Sequence, residues 1–98
     1  MLVVVSYDVS TVDLKAGARR LRRVAKVCTS YGVRVQKSVF ECQLGSKEWA
    51  EMRGHLLAEI DASKDSLRFY YIDQSVRDRI EHHGVLKPVD VERDVLVL

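Results

Sequence analysis

The stretch VRVQKSVFECQL, residues 33–44, decides the fold because the parity of its apolar residues changes part-way along. Val33 and Val35 share one face of an extended chain, whereas Phe40 and the apolar residues after it fall on the opposite face. One straight strand would leave one of these two sets in water. A tight turn or bulge over residues 36–38 removes the conflict, so the stretch predicts two strands.

A helix pattern lies on each side of these two strands. Before them a helix is predicted over residues 12–30, and its apolar stripe has spacings of four and three residues: Leu14, Ala18, Leu21, Ala25 and Cys28. Ser10 and Thr11 are its N-cap candidates, and Gly32 is its expected left-handed stop. After them a second helix is predicted over residues 46–62, with the buried stripe Trp49, Met52, Leu56 and Ile60. Each stripe predicts a helix packed against the sheet.

Two further strands enclose these helices. Residues 2–7 (LVVVSY) are apolar and β-branched, and residues 66–72 (SLRFYYI) are rich in aromatic residues. The resulting order is βαββαβ. It predicts an α+β, ferredoxin-like fold for residues 1–73, with an antiparallel sheet and both helices on one face.

Residues 74–98 form the expected C-terminal extension. Residues 79–84 could make a short strand, and DVLVL at 94–98 is predicted to be a terminal apolar strand. Such an apolar segment is costly to leave in water. We therefore expect it to pair with a sheet edge, either its own or that of a second subunit.

The composition is that of one ordinary globular domain. The 98 residues are 47% hydrophobic and 31% charged, with a net charge of only +2, which argues against disorder. No apolar run approaches the roughly 20 residues of a membrane span, so we expect a soluble, cytoplasmic protein. Cys28 and Cys42 lack a CxxC spacing and are interpreted as small buried hydrophobic residues.

Charge is concentrated in the first predicted helix. Six basic residues occur between positions 15 and 26 without any acid: Lys15, Arg19, Arg20, Arg22, Arg23 and Lys26. The four arginines stand three or four residues apart in pairs, so like charges repel along one helix face. Bound phosphates would relieve this repulsion, but a solvated helix face is an equally open interpretation.

Asp8 raises the main question about chemistry, because an apolar strand ends in Tyr7-Asp8. One interpretation is that Asp8 begins a loop and caps the following helix. The other is that it lies at the carboxyl end of the strand to hold a metal ion.

Other candidate sites receive less support from the sequence. His82 and His83 are adjacent, so they would face opposite ways in a strand and could not bind one ion together. Ser38 and Ser66 have no recognisable hydrolase triad around them, and there is no phosphate-binding glycine motif. The aromatic strand at 66–72 could stack nucleobases, but its rings serve equally well as core or interface.

Four segments together resemble the small CRISPR-associated nuclease family, the smaller of the two proteins that capture spacers in CRISPR adaptive immunity. They are the opening strand ending in Tyr7-Asp8, RRLRRVAK at 19–26, YGVRVQKSVFE at 31–41, and DSLRFY at 65–70. The resemblance covers roughly residues 2–72, and QKSVFE at 36–41 is its most specific part. Residues 74–88 match least, whereas the terminal DVLVL looks like the end of some members.

The resemblance implies a metal-dependent endonuclease that cleaves RNA or DNA phosphodiesters. Asp8 is then both the catalytic residue and the ligand of Mg²⁺ or a similar divalent cation, and Tyr7, Ser38 and Phe40 support it. Arg19, Arg20, Arg22 and Arg23 are the expected nucleic-acid-binding residues.

The resemblance also implies partners. It predicts a homodimer in which the C-terminal strand crosses to the partner's sheet, and a complex in which this protein spans DNA between two dimers of the CRISPR integrase. The bound nucleic acid would be DNA and possibly single-stranded RNA. Two alternatives remain open: a non-catalytic DNA-binding scaffold between integrase dimers, and a toxin-like RNA nuclease that acts alone.

A single carboxylate is a weak magnesium site, because Mg²⁺ takes about six oxygen ligands. A two-fold axis near the strand ends would bring two copies of Asp8 together, where a mostly hydrated ion could bind between them. Without metal the two carboxylates repel, and one should hold a proton. The sequence therefore predicts metal binding at Asp8 but slow or absent catalysis.

Overall fold

The computed structural model describes residues 1–73 and 79–85. The elements within them are β1 (Leu2–Asp8), α1 (Leu14–Tyr31), β2 (Val33–Gln36), β3 (Val39–Gln43), α2 (Ser46–Glu59) and β4 (Ser66–Ile72). This is the predicted βαββαβ order. The two strands predicted within residues 33–44 are present as β2 and β3.

The four strands form one antiparallel sheet in the order β2-β3-β1-β4. The central strand is β1, in which Val5 lies between Phe40 of β3 and Phe69 of β4. Each helix connects two strands that are separated in the sheet by one other strand. This interleaving of two βαβ units confirms the predicted ferredoxin-like fold.

The core lies between one face of this sheet and both helices. β1 contributes Val3, Val5 and Tyr7 to it, all of them buried. The other buried members come from the helices, β3 and the loops: Val9, Leu21, Val24, Ala25, Cys28, Phe40, Cys42, Leu44, Trp49, Met52 and Leu56. Among the described residues, neither helix is both long and apolar enough to cross a membrane.

The opposite side of the sheet carries neither helix, and we call it the open face. Strand parity and register place these side chains on it: Val4, Ser6, Asp8, Val33, Val39, Glu41, Ser66, Arg68, Tyr70 and Ile72. Val33 and Tyr70 are large side chains that remain 60% and 46% exposed. Asp8 is therefore on the side of the sheet that faces away from the core.

β2 and β3 are joined by a turn at residues 37–38, and β2 contains a bulge. The pairing shifts between Arg34, which lies opposite Phe40, and Gln36, which lies opposite Val39. Arg34 consequently faces the helices, whereas Gln36 lies on the open face. The turn predicted over residues 36–38 is present, and the bulge lies just before it, between Arg34 and Gln36.

The start of α1 differs from the prediction. The N-cap is Asp13, whose carboxylate accepts a hydrogen bond from the Ala16 amide at 3.2 Å, in place of Ser10 or Thr11. Leu14 is 76% exposed, so its predicted burial is wrong. The residue that meets the β1–α1 loop is Gly17, where an added Cβ would overlap the Ser10 carbonyl oxygen.

Gly32 ends α1, but its backbone is extended (φ −149°), so the predicted left-handed stop is wrong. The reason for glycine is space. A Cβ at this position would overlap the Cys42 sulfur and lie 2.8 Å from the Glu41 carbonyl oxygen. The close approach of the helix end to β3 thus excludes a side chain here.

The predictions for the second half of the chain were partly correct. α2 ends at Glu59 instead of near residue 62, and Ile60 is half-buried at its C-cap. Residues 79–84 do not form the predicted short strand. All of them are exposed, and Gly84 has a left-handed backbone with φ +96°. The predicted strand at 94–98 lies outside the described residues.

Candidate functional site

Asp8 is the last residue of β1, and its backbone lies opposite Ser66 of β4. Its side chain is exposed on the open face. No hydrogen bond or ion pair of the carboxylate occurs within the described part of the chain. The described residues therefore leave both carboxylate oxygens without a partner.

The interpretation of Asp8 as a helix cap is wrong. Asp13 performs that function five residues later, and the intervening residues form a loop. A strand-ending carboxylate that neither caps a helix nor pairs with a cation has no structural role among the described residues. This observation favours a ligand-binding role for Asp8.

The three predicted supporting residues lie beside the end of β1. The Tyr7 amide donates to the Ser38 carbonyl at 3.1 Å, and the Tyr7 hydroxyl donates to the Lys37 carbonyl at 3.4 Å. The Tyr7 ring stacks on Phe40 with 6.2 Å between centroids. Tyr7 and Phe40 therefore anchor the strand end in the core, on the side opposite to Asp8.

Arg34 lies in the same region and was missed by the sequence analysis. Its guanidinium stands 5.0 Å from the centre of the Phe40 ring, and its Nε and Nη2 atoms are buried without a hydrogen-bond partner in residues 1–73 and 79–85. Burial raises the pKa of the Tyr7 hydroxyl, and the Arg34 charge offsets part of that effect. The signal that could have revealed it is the register of the hairpin. With the bulge at Val35, Arg34 pairs with inward-facing Phe40 and therefore lies on the same face of the sheet.

The basic residues of α1 divide into two groups. Arg20 forms an ion pair with Asp65 (Nε to Oδ2, 2.9 Å), and Arg23 approaches Glu59 at 3.7 Å. The expectation that no acid offsets the repulsion along this helix is therefore wrong for these two arginines. Their partners are distant in sequence, so the local charge pattern could not reveal them.

The remaining four basic residues form what we call the cationic stripe: Lys15, Arg19, Arg22 and Lys26. Their spacings of four, three and four residues place them along one side of α1, over about 16 Å at 1.5 Å per residue. All four are exposed, and none has an ion-pair partner among the described residues. An unneutralised row of cations of this kind is suited to a polyanion.

Comparisons with known proteins identify the family. The family model for CRISPR associated protein Cas2 matches residues 1–80. The chain belongs to the Cas2 family. A relative from Chlorobaculum tepidum, named CRISPR-associated endoribonuclease Cas2, is 48% identical over 97 residues, which cover 99% of this chain and 100% of that protein.

Other Cas2 proteins agree in sequence and in fold. A relative from Halalkalibacterium halodurans, named CRISPR-associated endonuclease Cas2, is 44% identical over 92 residues, covering 94% of this chain and 95% of its own. The crystal structure of Streptococcus pyogenes Cas2 at pH 6.5 superposes with a TM-score of 0.74 and 44% identity, over 86% of this chain and 100% of that one. The predicted family is thus confirmed.

The Cas2 resemblance implied magnesium, and Asp8 fits a divalent cation only in part. No cluster of three or more Asp, Glu, His or Cys side chains that could hold a metal ion occurs in residues 1–73 and 79–85. At the end of β1 one protomer therefore offers the Asp8 carboxylate, and Mg²⁺ would need about five further oxygen ligands. Water and the Asp8 of a second copy are the ligands that fit this arrangement.

The other candidates from the sequence make contacts within the chain. Phe69 and Tyr71 pack edge-on against Trp49, with centroids at 4.8 and 5.8 Å, so they serve the helix side of this Cas2 sheet. Tyr70 remains on the open face, where its hydroxyl accepts from Arg68 at 3.1 Å. His83 contacts Glu81, and both side chains are 81% exposed.

Both cysteines are free and buried, as predicted. Burial raises the pKa of the Cys28 thiol to about 12 and that of the Cys42 thiol to about 11. Neither is appreciably ionised near neutral pH, and only the thiolate is a good nucleophile or metal ligand. They act as small apolar residues of the core.

Proposed function

We propose that this protein is a metal-dependent endonuclease that acts on RNA or DNA and takes part in spacer capture with the CRISPR integrase. The observation that carries the nuclease proposal is the exposed carboxylate of Asp8 at the end of β1, which has no partner among the described residues. The helix that follows it carries the cationic stripe. The relatives' printed names, endoribonuclease and endonuclease, support the same activity.

Three groups of residues have separate roles in this proposal. The cationic stripe binds backbone phosphates without reading sequence, since such contacts carry no base information. Asp8 and the Asp8 of a second copy hold the divalent cation, which when bound neutralises charge on the scissile phosphate and activates water. Tyr7 and Phe40 fix the strand end from the core side.

The proposal includes a homodimer that forms through the open face. Val33, Val39 and Tyr70 give this face exposed or half-buried apolar surface, and Asp8 lies on the same face. Pairing of two open faces would bury the apolar surface and could bring the two Asp8 carboxylates together. Integrase partnership and cytoplasmic location stay predictions.

A second function, a non-catalytic DNA-binding scaffold, is favoured by one observation. Each protomer offers one carboxylate at the strand end but four exposed basic residues on α1 that have no ion-pair partner among the described residues. Binding would then survive without any cleavage. The two functions differ only in whether Asp8 is needed.

The test compares Asp8→Asn with Asp13→Asn, which removes an equal charge five residues away and keeps a good cap. Cleavage of RNA and duplex DNA is measured during Mg²⁺ titration, and melting temperature is followed with and without Mg²⁺. We expect Mg²⁺ to support cleavage and raise the melting temperature in the parent and Asp13→Asn, with neither effect in Asp8→Asn. Unchanged cleavage in Asp8→Asn would exclude the metal-site role. If no form cleaves, the nuclease proposal fails and the non-catalytic scaffold remains.

A further inference from the structure

Asp65, just before β4, is the most completely engaged carboxylate in the described part of the chain. Its side chain is 0% exposed. Oδ1 accepts from the Ser10 amide at 3.0 Å and from Arg20 Nη2 at 3.4 Å, while Oδ2 accepts from the Asp61 amide at 2.8 Å and from Arg20 Nε at 2.9 Å. A buried charge with partners on both oxygens holds its neighbours in one arrangement.

The ion pair fixes the backbone of Ser10 from both sides. The Ser10 amide donates to Asp65, and the Ser10 carbonyl accepts from Arg20 Nη2 at 3.2 Å. Close contact at Gly17 holds the same loop against α1, because an added Cβ would overlap the Ser10 carbonyl oxygen. The loop between Asp8 and the cationic stripe is thus held to both β4 and α1.

The position of this pair relates it to Asp8. Ser10 stands two residues after Asp8, and Ser66, the neighbour of Asp65, is the backbone partner of Asp8 in the sheet. Arg20 is adjacent on α1 to Arg19, a member of the cationic stripe. One ion pair therefore connects the strand end that carries the carboxylate with the helix that carries the cations.

We propose that Arg20 and Asp65 are positioning residues, which hold Asp8 at a fixed place relative to the cationic stripe. The strand end that carries Asp8 is then held in one position, because the loop at Ser10 is bound to both β4 and α1. This inference rests on the proposed nuclease function. It removes Arg20 from the set of phosphate ligands, to which the sequence pattern had assigned it.

The positioning role and a phosphate-ligand role for Arg20 predict different results. Asp65→Asn removes the charge that engages Arg20 and leaves all basic residues in place. If Arg20 positions, Arg20→Gln and Asp65→Asn should both lower kcat and leave nucleic-acid affinity nearly unchanged. If Arg20 binds phosphate, Arg20→Gln should weaken affinity, whereas Asp65→Asn should leave it equal or stronger.

The experiment uses full-length protein carrying Arg20→Gln, Asp65→Asn or both, with Arg53→Gln and Asp73→Asn as matched controls at exposed positions. We measure kcat and KM for Mg²⁺-dependent cleavage, Kd for the same nucleic acid without metal, and Mn²⁺ binding by paramagnetic resonance. Sedimentation and melting confirm that each form remains folded at the assay temperature.

We expect each single variant to lose about ten- to a hundred-fold in kcat, as small misplacements do, with KM and Kd within about two-fold. The double variant should lose no more than the worse single variant, because both residues act as one unit. Mn²⁺ should bind more weakly in all three, and the controls should match the parent.

Weaker nucleic-acid binding by Arg20→Gln with equal or stronger binding by Asp65→Asn would overturn the positioning role. Unchanged kcat and Mn²⁺ affinity in variants of an active parent would also overturn it. These outcomes leave the proposed nuclease function intact. A parent that neither cleaves nor binds Mn²⁺ overturns the nuclease function instead, and with it the positioning role.

Discussion

The Asp65 carboxylate, whose side chain is 0% exposed, gives this protein a defined response to acid. Burial alone would raise the pKa of Asp65, but hydrogen bonds from the Asp61 amide, Arg20 and the Ser10 amide outweigh it and hold the pKa below its ordinary value of 3.8. A carboxyl group with a lowered folded-state pKa stabilises the protein fully above its unfolded-state pKa. That contribution disappears as pH falls through the folded-state pKa.

We therefore predict that Asp65→Asn is less stable than the parent by about 1.5–3 kcal/mol at pH 7, the range for hydrogen bonds to a charged group. The difference should persist down to about pH 4 and shrink below it, as Asp65 in the parent takes up a proton. Urea unfolding at pH 7, 5, 4 and 3 measures this. A difference that stays constant to pH 3 would contradict the assignment, and Asp73→Asn serves as the control.

Single residues also show how far local sequence reasoning extends. The end of a strand at Asp8 was predictable, since an apolar β-branched run stops there. The choice between cap and ligand was not, because it depends on Asp13 capping the helix in the folded chain. The roles of Arg20 and Arg34 were equally inaccessible, since their neighbours Asp65 and Phe40 are distant in sequence.

At the scale of elements, the cationic stripe of α1 yields a prediction about salt. Arg19 and Arg22 are exposed and lack ion-pair partners among the described residues. Changing both to Gln should weaken duplex DNA binding and reduce the slope of log affinity against log salt by about 1.8, or about 0.9 for each phosphate that is no longer neutralised. Binding measured from 50 to 200 mM salt provides the test.

The matched control for the stripe removes two charges from α2, with Lys47→Gln and Arg53→Gln. These residues are exposed and carry no assigned role, so the salt slope should stay at the parent value. If both pairs of changes flatten the slope equally, net charge governs binding and the stripe has no special part.

The junction of α1 and β2 gives a prediction about packing. Gly32→Ala should destabilise the fold by about 1–3 kcal/mol, the usual cost of overpacking, because its Cβ would overlap the Cys42 sulfur. Gly54→Ala is the control, since nothing lies within 4 Å of an added Cβ within α2. It should stabilise by about 0.5–1 kcal/mol through helix propensity. Equal effects of the two changes in urea unfolding would contradict the packing explanation.

Element types were predictable because hydrophobic periodicity is a local property. The first and last residues of the elements were less predictable. α1 begins at Leu14, where Asp13 supplies the cap, and its buried side consists of Gly17, Leu21, Val24, Ala25 and Cys28. Periodicity alone could not show that Leu14 is exposed, because that depends on how the folded chain packs around the start of the helix.

For the whole molecule, the open face is the feature that a single protomer does not explain. Both helices pack on the other side of the sheet, yet Val33 and Tyr70 expose large apolar side chains here. Asp8 lies on the same face with one carboxylate, too few ligands for a magnesium ion. A second copy packed against this face would cover the apolar side chains and would supply a second Asp8 carboxylate.

We therefore predict that Tyr70→Glu converts the dimer to monomer, because it places a charge within the paired open faces. Leu57→Glu is the matched control: Leu57 is 44% exposed on α2 and Tyr70 is 46% exposed on β4, so the two changes alter similar surface on opposite sides of the molecule. Sedimentation over a range of protein concentrations should show monomer for Tyr70→Glu and dimer for Leu57→Glu and the parent.

Mg²⁺-dependent stabilisation should disappear together with the dimer, since each protomer then retains a single Asp8. A Tyr70→Glu protein that remains dimeric would exclude the open face as the interface, and a monomer that still responds to Mg²⁺ would show that the metal needs only one copy of Asp8.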